Sequence, residues 1–198
     1  MIVAGTGGQG IVLLSRVLGE ASIKANLRVR IGEIHGVSQR GGSVLSFIRI
    51  GPSVYSPTVP IGTGSILIGL EPTEALRSLH YMSPHGFVLL NTRPVLPNSV
   101  KTGNFKYPEI AEIVSVIKGT GKKVAYTDAT QKAINAGSHS VMNIFMIGAL
   151  VGFKYLPLSK SIVMDVIKRM IPERFLKTNL KAFSSGIEFA NIQMKKGK

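Results

Sequence analysis

Six residues near the start of the chain, Gly5-Thr6-Gly7-Gly8-Gln9-Gly10, constrain the fold more than any other stretch. They follow a short apolar run at 2–4. They precede a segment, 11–24, in which Ile11, Leu14, Val17, Leu18 and Ala21 recur at helical spacing. Strand, glycine loop, helix is the order in which G-x-G-x-x-G has a physical meaning. Glycines permit a tight turn, bring backbone close to a ligand and let the helix pack near the strand. Free amides at the helix start favour an anion. A loop whose glycines only make the turn, with no ligand, fits the same pattern.

The rest of the chain alternates in the same way. Further strands are expected at 27–31, 43–50, 65–70, 87–90 and 123–128. Helices are expected at 72–82, with Pro72 in the first turn, and at 108–118 and 129–136, with Gly137 just past the end. Ser138 or Ser140 caps the next, to about 155; one more lies between Pro157 and Pro172, and a last runs over 178–194. Residues 83–86, Ser-Pro-His-Gly, read as a turn. This order implies an α/β fold: a single three-layer domain over 1–194, with a mainly parallel sheet and helices on both faces, and a basic tail at 195–198. The run from Val141 to Phe153 is too short to span a membrane and contains Asn143, so a core or subunit-interface helix is expected.

Composition narrows the function. The 198 residues include no cysteine, which excludes disulfides, thiolate metal sites, iron–sulfur ligation and a cysteine nucleophile in this chain. It also fits a cytoplasmic protein, as does the lack of a basic leader at 1–4. The net charge of +14 raises nucleic acid as a partner. However, few aromatics interleave with the basic residues, and no nucleic-acid motif is present. A solvated surface with an acidic partner or an anionic ligand is the better reading, and neither nucleic acid nor a membrane is expected as a partner.

A second polar loop carries the most specific sequence in the chain, Glu33-Ile34-His35-Gly36-Val37-Ser38-Gln39-Arg40-Gly41-Gly42-Ser43-Val44. Arg40 is a planar donor suited to carboxylate or phosphate, and the glycine pair leaves amides accessible. If the first two strands are neighbours, both loops lie at one sheet edge and form one anion pocket. The candidate ligand residues are Gly5, Gly7, Gly8, Gln9, Gly10, His35, Ser38, Gln39, Arg40, Gly41, Gly42 and Asn143. Arg40 could instead pair with Glu33 or with a partner's carboxylate and only fix the loop. Asn143 could bond a loop backbone or face a partner. Glu33, near the end of the second strand, also sits where a dinucleotide-binding fold puts its ribose-binding acid, so a stand-alone NAD- or FAD-binding domain is the rival reading. His80, His85 and His139 lack metal-ligand spacing, no serine has a triad context, and no catalytic residue is identified.

Taken in order, these loops resemble the gamma subunit or gamma domain of 2-oxoacid:ferredoxin oxidoreductases, in which a GxGGQG loop opens the chain and a segment ending QRGG precedes the third strand. The form EIHGVSQRGGSV looks most like the indolepyruvate branch. Asn91-Thr92, Asp128-Ala129, Asn143 with Gly148-Ala149-Leu150, and Asn179 with Ala182-Phe183 and Gly186 extend the resemblance over nearly the whole chain. It implies a pyruvate:ferredoxin oxidoreductase gamma-like fold. It also implies a subunit of an enzyme that decarboxylates a 2-oxoacid oxidatively on thiamine diphosphate, passes electrons through iron–sulfur clusters to ferredoxin and gives the acyl group to coenzyme A. Thiamine diphosphate, magnesium and the clusters then belong to a large partner subunit, in a two-plus-two assembly. This chain would bind none of them alone, would contact ferredoxin only indirectly, and would be inactive by itself.

Overall fold

The structure is a computed structural model, and it describes residues 1–36, 42–96, 100, 102–103 and 106–196. The elements run β1 (Ile2–Thr6), α1 (Ile11–Lys24), β2 (Val29–His35), β3 (Ser43–Ile50), β4 (Gly64–Gly69), α2 (Pro72–Arg77), β5 (Met82–Asn91), α3 (Ile110–Gly119), β6 (Lys123–Thr127), α4 (Ala129–Ala136), α5 (Met142–Gly152), α6 (Lys160–Met170) and α7 (Glu173–Lys196). The expected alternation is present, and α7 continues through Lys196 into what the sequence marks as a basic tail.

The six strands form one sheet in the order β2-β3-β1-β4-β5-β6. The pairs β1–β4, β4–β5 and β5–β6 are parallel, while β3 runs antiparallel to both β1 and β2. The sheet is therefore mostly parallel, as expected, but β1 and β2 are not neighbours. This corrects the adjacency on which the shared pocket was argued. The reason is local: the 36–42 connection is short, and a short connection between consecutive strands makes a hairpin, whereas a parallel return needs a long crossover. β2 and β3 pair along their whole length, from Val29↔Ile50 to His35↔Val44.

The expected turn at 83–86 lies inside β5. Gly64 pairs with Met82 and Ile66 with Phe87, so the four residues form an irregularity where the register shifts. The helix expected over 72–82 stops at Arg77 and gives way to a single 3₁₀ turn, Leu79–Tyr81.

Alternation along the strands builds two cores. Val3, Ile48, Ile66, Ile68 and Leu89 face a layer made of α1, α4, α5, α6 and α7. Ile2, Ala4, Phe47, Leu67, Val88 and Leu90 face α2 and α3. Three layers follow, as the sequence implies. The apolar helix α5 is buried along its whole length, between the sheet and α7. Its approach to α7 is set by glycines: a Cβ on Gly148 would meet the Phe183 carbonyl oxygen, and one on Gly186 would meet that of Phe145.

Gly186→Ala is therefore expected to lower stability by about 1–3 kcal/mol through overpacking against backbone that cannot give way. Gly119→Ala, at a helix end where an added Cβ meets nothing within 4 Å, is the matched control and should be neutral or stabilising. Urea denaturation of the two variants checks this, and equal midpoints would show that the close approach of α5 and α7 is not what the glycines secure.

Candidate functional site

The carboxyl ends of β1, β4 and β5 lie along one edge of the sheet, and their loops are tied together by side-chain amides. Gln9 folds back over the glycine loop. Its Oε1 accepts from the Thr6 backbone amide at 2.8 Å, and its Nε2 donates to the Leu70 carbonyl oxygen at 2.9 Å. Asn91, fully buried at the end of β5, donates from Nδ2 to the same Leu70 oxygen at 2.9 Å and to Thr130 Oγ1 at 3.1 Å. Its Oδ1 accepts from the amides of Ala129 and Thr130, the first two residues of α4. Asn143, also buried, donates to the Gly10 carbonyl oxygen at 3.1 Å. The asparagine thus bonds a loop backbone, the first of the two roles its sequence position left open. Gly10 has a left-handed φ of 76°, and a Cβ there would run into Asn143, so glycine is required on both counts.

The two polar loops do meet. The Gly7 amide donates to the Gly42 carbonyl oxygen at 2.9 Å, and the Gly36 amide to that of Ser43 at 2.8 Å. Between them lies an open cleft of about 640 Å³, whose walls include Gly7, Gly8, Gly10, Val12, His35 and Val44. Gly10 caps α1 without a side-chain hydrogen bond, so the first-turn amides of α1 have no side-chain acceptor there. No acidic residue stands in that first turn. The partial positive charge of the helix start is therefore left for a ligand or partner.

Of the residues singled out from sequence, Gly7, Gly8, Gly10 and His35 line the cleft. Gly42 closes its β3 side through Gly7. Gln9 and Asn143 do not line it; both are spent bracing the loop from behind. Gly5 is a close-approach glycine, where a Cβ would press on Leu70 at 3.0 Å. Ser38, Gln39, Arg40 and Gly41 lie outside the described residues. Glu33 pairs with His35, Nε2 to Oε2 at 3.0 Å. With β3 inserted, β2 is not the neighbour of β1, so Glu33 lacks the placement a dinucleotide-binding fold needs for a ribose acid.

One feature of this edge was missed from sequence. Glu71, almost wholly buried, caps α2: its Oε2 accepts from the Glu74 amide at 3.0 Å and from Thr73 Oγ1 at 2.6 Å. Its Oε1 accepts from Tyr107 Oη at 2.5 Å and from the Val95 amide at 3.3 Å. One carboxylate therefore pins two points of the β5–α3 connection. Glu74, next on that helix, accepts from Ser43 Oγ at 2.6 Å and Arg77 at 2.9 Å. Pro72 directly after Glu71 is the signal that could have shown the cap. Burial first, then the Glu71 hydrogen bond, push the Tyr107 phenol above its ordinary range.

This geometry defines a class before any relative is considered: a three-layer α/β chain with a braced glycine loop, an open cleft at the sheet edge, no cysteine, and, among the described residues, no group of metal-ligating side chains. Residues 1–189 match the family described as pyruvate ferredoxin/flavodoxin oxidoreductase, and the chain belongs to that family. It is similar to indolepyruvate oxidoreductase subunit IorB of Pyrococcus horikoshii, 40% identical over 96% of this chain and 95% of that one. Among solved structures, it resembles the gamma subunit of a keto/oxoacid ferredoxin oxidoreductase from Geobacter sulfurreducens, with a TM-score of 0.70 at 22% identity over 96% and 97% of the two chains. It also resembles part of 2-oxoglutarate:ferredoxin oxidoreductase from Magnetococcus marinus, a structure with 2-oxoglutarate, coenzyme A and succinyl-CoA bound. There the TM-score is 0.72 at 20% identity, over 96% of this chain and 30% of that one. At those identities the two structures establish a shared fold.

Two outcomes follow from the bracing. Asn91→Ala strands the Ala129 and Thr130 amides together, and each buried group left unpaired costs about 1–3 kcal/mol. It should therefore destabilise the protein more than Gln9→Ala in chemical denaturation. Tyr107, in turn, should stay un-ionised through about pH 10, where a free phenol titrates. Because its folded value is raised, the stability it contributes is present below the unfolded value and declines as pH rises beyond it. Ultraviolet titration of Tyr107→Phe should show an unchanged phenol step in that range; the loss of one tyrosine's amplitude would contradict the buried hydrogen bond to Glu71.

Proposed function

We propose that this chain is the small subunit of an indolepyruvate-type 2-oxoacid:ferredoxin oxidoreductase, and that its cleft receives the anionic part of coenzyme A at the junction with a large subunit. The observation that carries the reading is the meeting of the two loops: a glycine loop that leads into the uncapped start of α1 faces His35 and Gly36, in the QRGG-containing segment, across an open cleft. The likeness of this chain to an indolepyruvate oxidoreductase subunit over almost its whole length supports the reaction class. The Magnetococcus relative of the same fold, with coenzyme A bound, supports the ligand.

The large subunit supplies thiamine diphosphate, magnesium and the iron–sulfur clusters; zero cysteines here fit that division. What this chain contributes is binding and orientation. First-turn amides of α1 offer donors and a partial positive charge to phosphate. Val12 and Val44 give an apolar wall for an uncharged arm. Arg40, on the sequence reading, adds a formal charge and a two-pronged donor. The excess of basic residues, +14 overall, suits contact with acidic surfaces of the partner. A cytoplasmic, two-plus-two complex is the expected setting; no helix among the described residues is long and apolar enough to cross a membrane.

Purified alone, the chain should neither oxidise 2-oxoacids nor absorb as an iron–sulfur protein, and mixing with its large subunit should restore viologen reduction. In the complex, Val12→Glu puts a negative charge at the exposed mouth of the cleft and should raise the KM for coenzyme A about tenfold, equivalent to about 1.4 kcal/mol. Arg40→Ala should raise it by about ten- to a hundredfold, the range of a lost charged hydrogen bond. Unchanged KM with weakened subunit affinity would mean that the loop grips the partner and not the coenzyme.

A further inference from the structure

Among the described residues, the cleft is lined by one titratable side chain, His35. Glu33 and His35 stand two apart on β2, so their side chains leave the same face of the strand. That face is the one toward α1, because Ile31, two positions earlier again, packs where a Cβ on Gly19 would fall. The Glu33 carboxylate lies 3.0 Å from His35 Nε2. A carboxylate accepts and does not donate, so Nε2 carries the hydrogen, and in the neutral ring Nδ1 is left with the lone pair. Among the described residues Nδ1 has no hydrogen-bond partner. The other walls bring only Thr6, glycines and the aliphatic chains Ile11, Val12 and Val44. With no cysteine in the chain, the cleft has no thiol nucleophile of its own.

Such a cleft can do more than cradle an anion. We infer that His35, oriented by Glu33, is the general base of this chain toward a thiol-bearing acyl acceptor. The inference rests on the reading that coenzyme A occupies the cleft, and adds to it a residue and a chemical act. The thiol S–H bond breaks, the proton passes to His35 Nδ1, and the electron pair stays on sulfur. The resulting thiolate takes the acyl group from its carrier: the sulfur–carbon bond forms as the bond from the acyl carbon to the carrier breaks, and that electron pair stays with the carrier. This transfer needs no oxidant or reductant beyond ferredoxin, which the parent reaction already uses. A positioned base of this kind is worth about 10²–10⁴ in rate.

The test uses the complex of full-length small and large subunits, with His35→Ala, His35→Gln and Glu33→Gln in the small one. Three quantities are read: the single-turnover rate of acyl-coenzyme A formation, the inhibition constant of desulfo-coenzyme A, which lacks the thiol, and rescue by added imidazole. His35→Ala should slow acyl transfer about a hundredfold. Desulfo-coenzyme A should bind within about twofold of wild type, since no proton is taken from it, and imidazole should restore part of the rate. His35→Gln should be as slow, because a side-chain amide cannot take the proton. Glu33→Gln should slow transfer by less than His35→Ala does, since the base remains and only its orientation is lost. An unchanged rate in His35→Ala overturns the inference. So does a loss that imidazole cannot restore and that is matched by weaker desulfo-coenzyme A binding; His35 would then be a contact or a brace. Failure of the underlying reading looks different: desulfo-coenzyme A would bind wild type and Val12→Glu complexes equally, placing the coenzyme elsewhere and removing the inference with it.

Discussion

The Leu70 carbonyl oxygen has two lone pairs, and both are taken by side-chain amides, Gln9 Nε2 from the glycine loop and Asn91 Nδ2 from the end of β5, each at 2.9 Å. Leu70 in turn donates its own amide to Ala4 at 2.8 Å, on β1. One residue just past β4 thereby fixes the loops that follow β1 and β5. In water such a carbonyl would be solvated. Here Leu70 and Asn91 are fully buried, so each amide lost would leave a buried acceptor or donor at a cost of about 1–3 kcal/mol. The cleft depends on this arrangement. Four of the six residues of its glycine loop have no side chain with which to hold the loop, and Gln9 supplies from inside it the support the glycines cannot.

The insertion of β3 decides what the cleft can be. In a dinucleotide-binding sheet the second strand lies beside the first, and an acid at its end reaches a ribose. Here β3 separates them and runs antiparallel to both. The β2–β3 hairpin consequently carries its connection to the same edge as the glycine loop, and Gly42 lies opposite Gly7. The acid that invited the dinucleotide reading, Glu33, is left facing His35 instead. A single strand reversal thus converts a nucleotide crevice into an open groove between two glycine-containing loops.

How much of this was legible before the structure depended on the range of each interaction. Elements set by local periodicity were readable: β3 over 43–50 and α4 over 129–136 fall where their patterns put them. That the two loops meet was also expected, but from a β1–β2 adjacency that the sheet does not have; they meet because β3 returns beside β1. Strand order was not, since residues 2–6 carry the same apolar character whether their neighbour is β2 or β3. Nor were the jobs of the amides. Gln9 stood out by its place in the loop, but whether it faces a ligand or Leu70 is settled 61 residues away. Glu71 was overlooked because its four donors come from its own helix, from Val95 and from Tyr107, the last two beyond β5.

The division between braced floor and open mouth bears on how such a subunit works. Polar side chains that could have bound a ligand, Gln9, Asn91 and Asn143, are turned inward and satisfied by backbone. The first-turn amides of α1 are left facing out. Backbone amides carry no protons to lose near neutrality and hold their direction as long as the helix stands, so they give a fixed field at almost no conformational cost on binding. The one imidazole on the cleft, His35 with its partner Glu33, lies at the far end of the edge strand β2, beyond Val29 and Ile31, which pack against the core. The fold separates what must stay still from what must respond, and it does so by placing glycine where the backbone acts and the imidazole where the side chain acts.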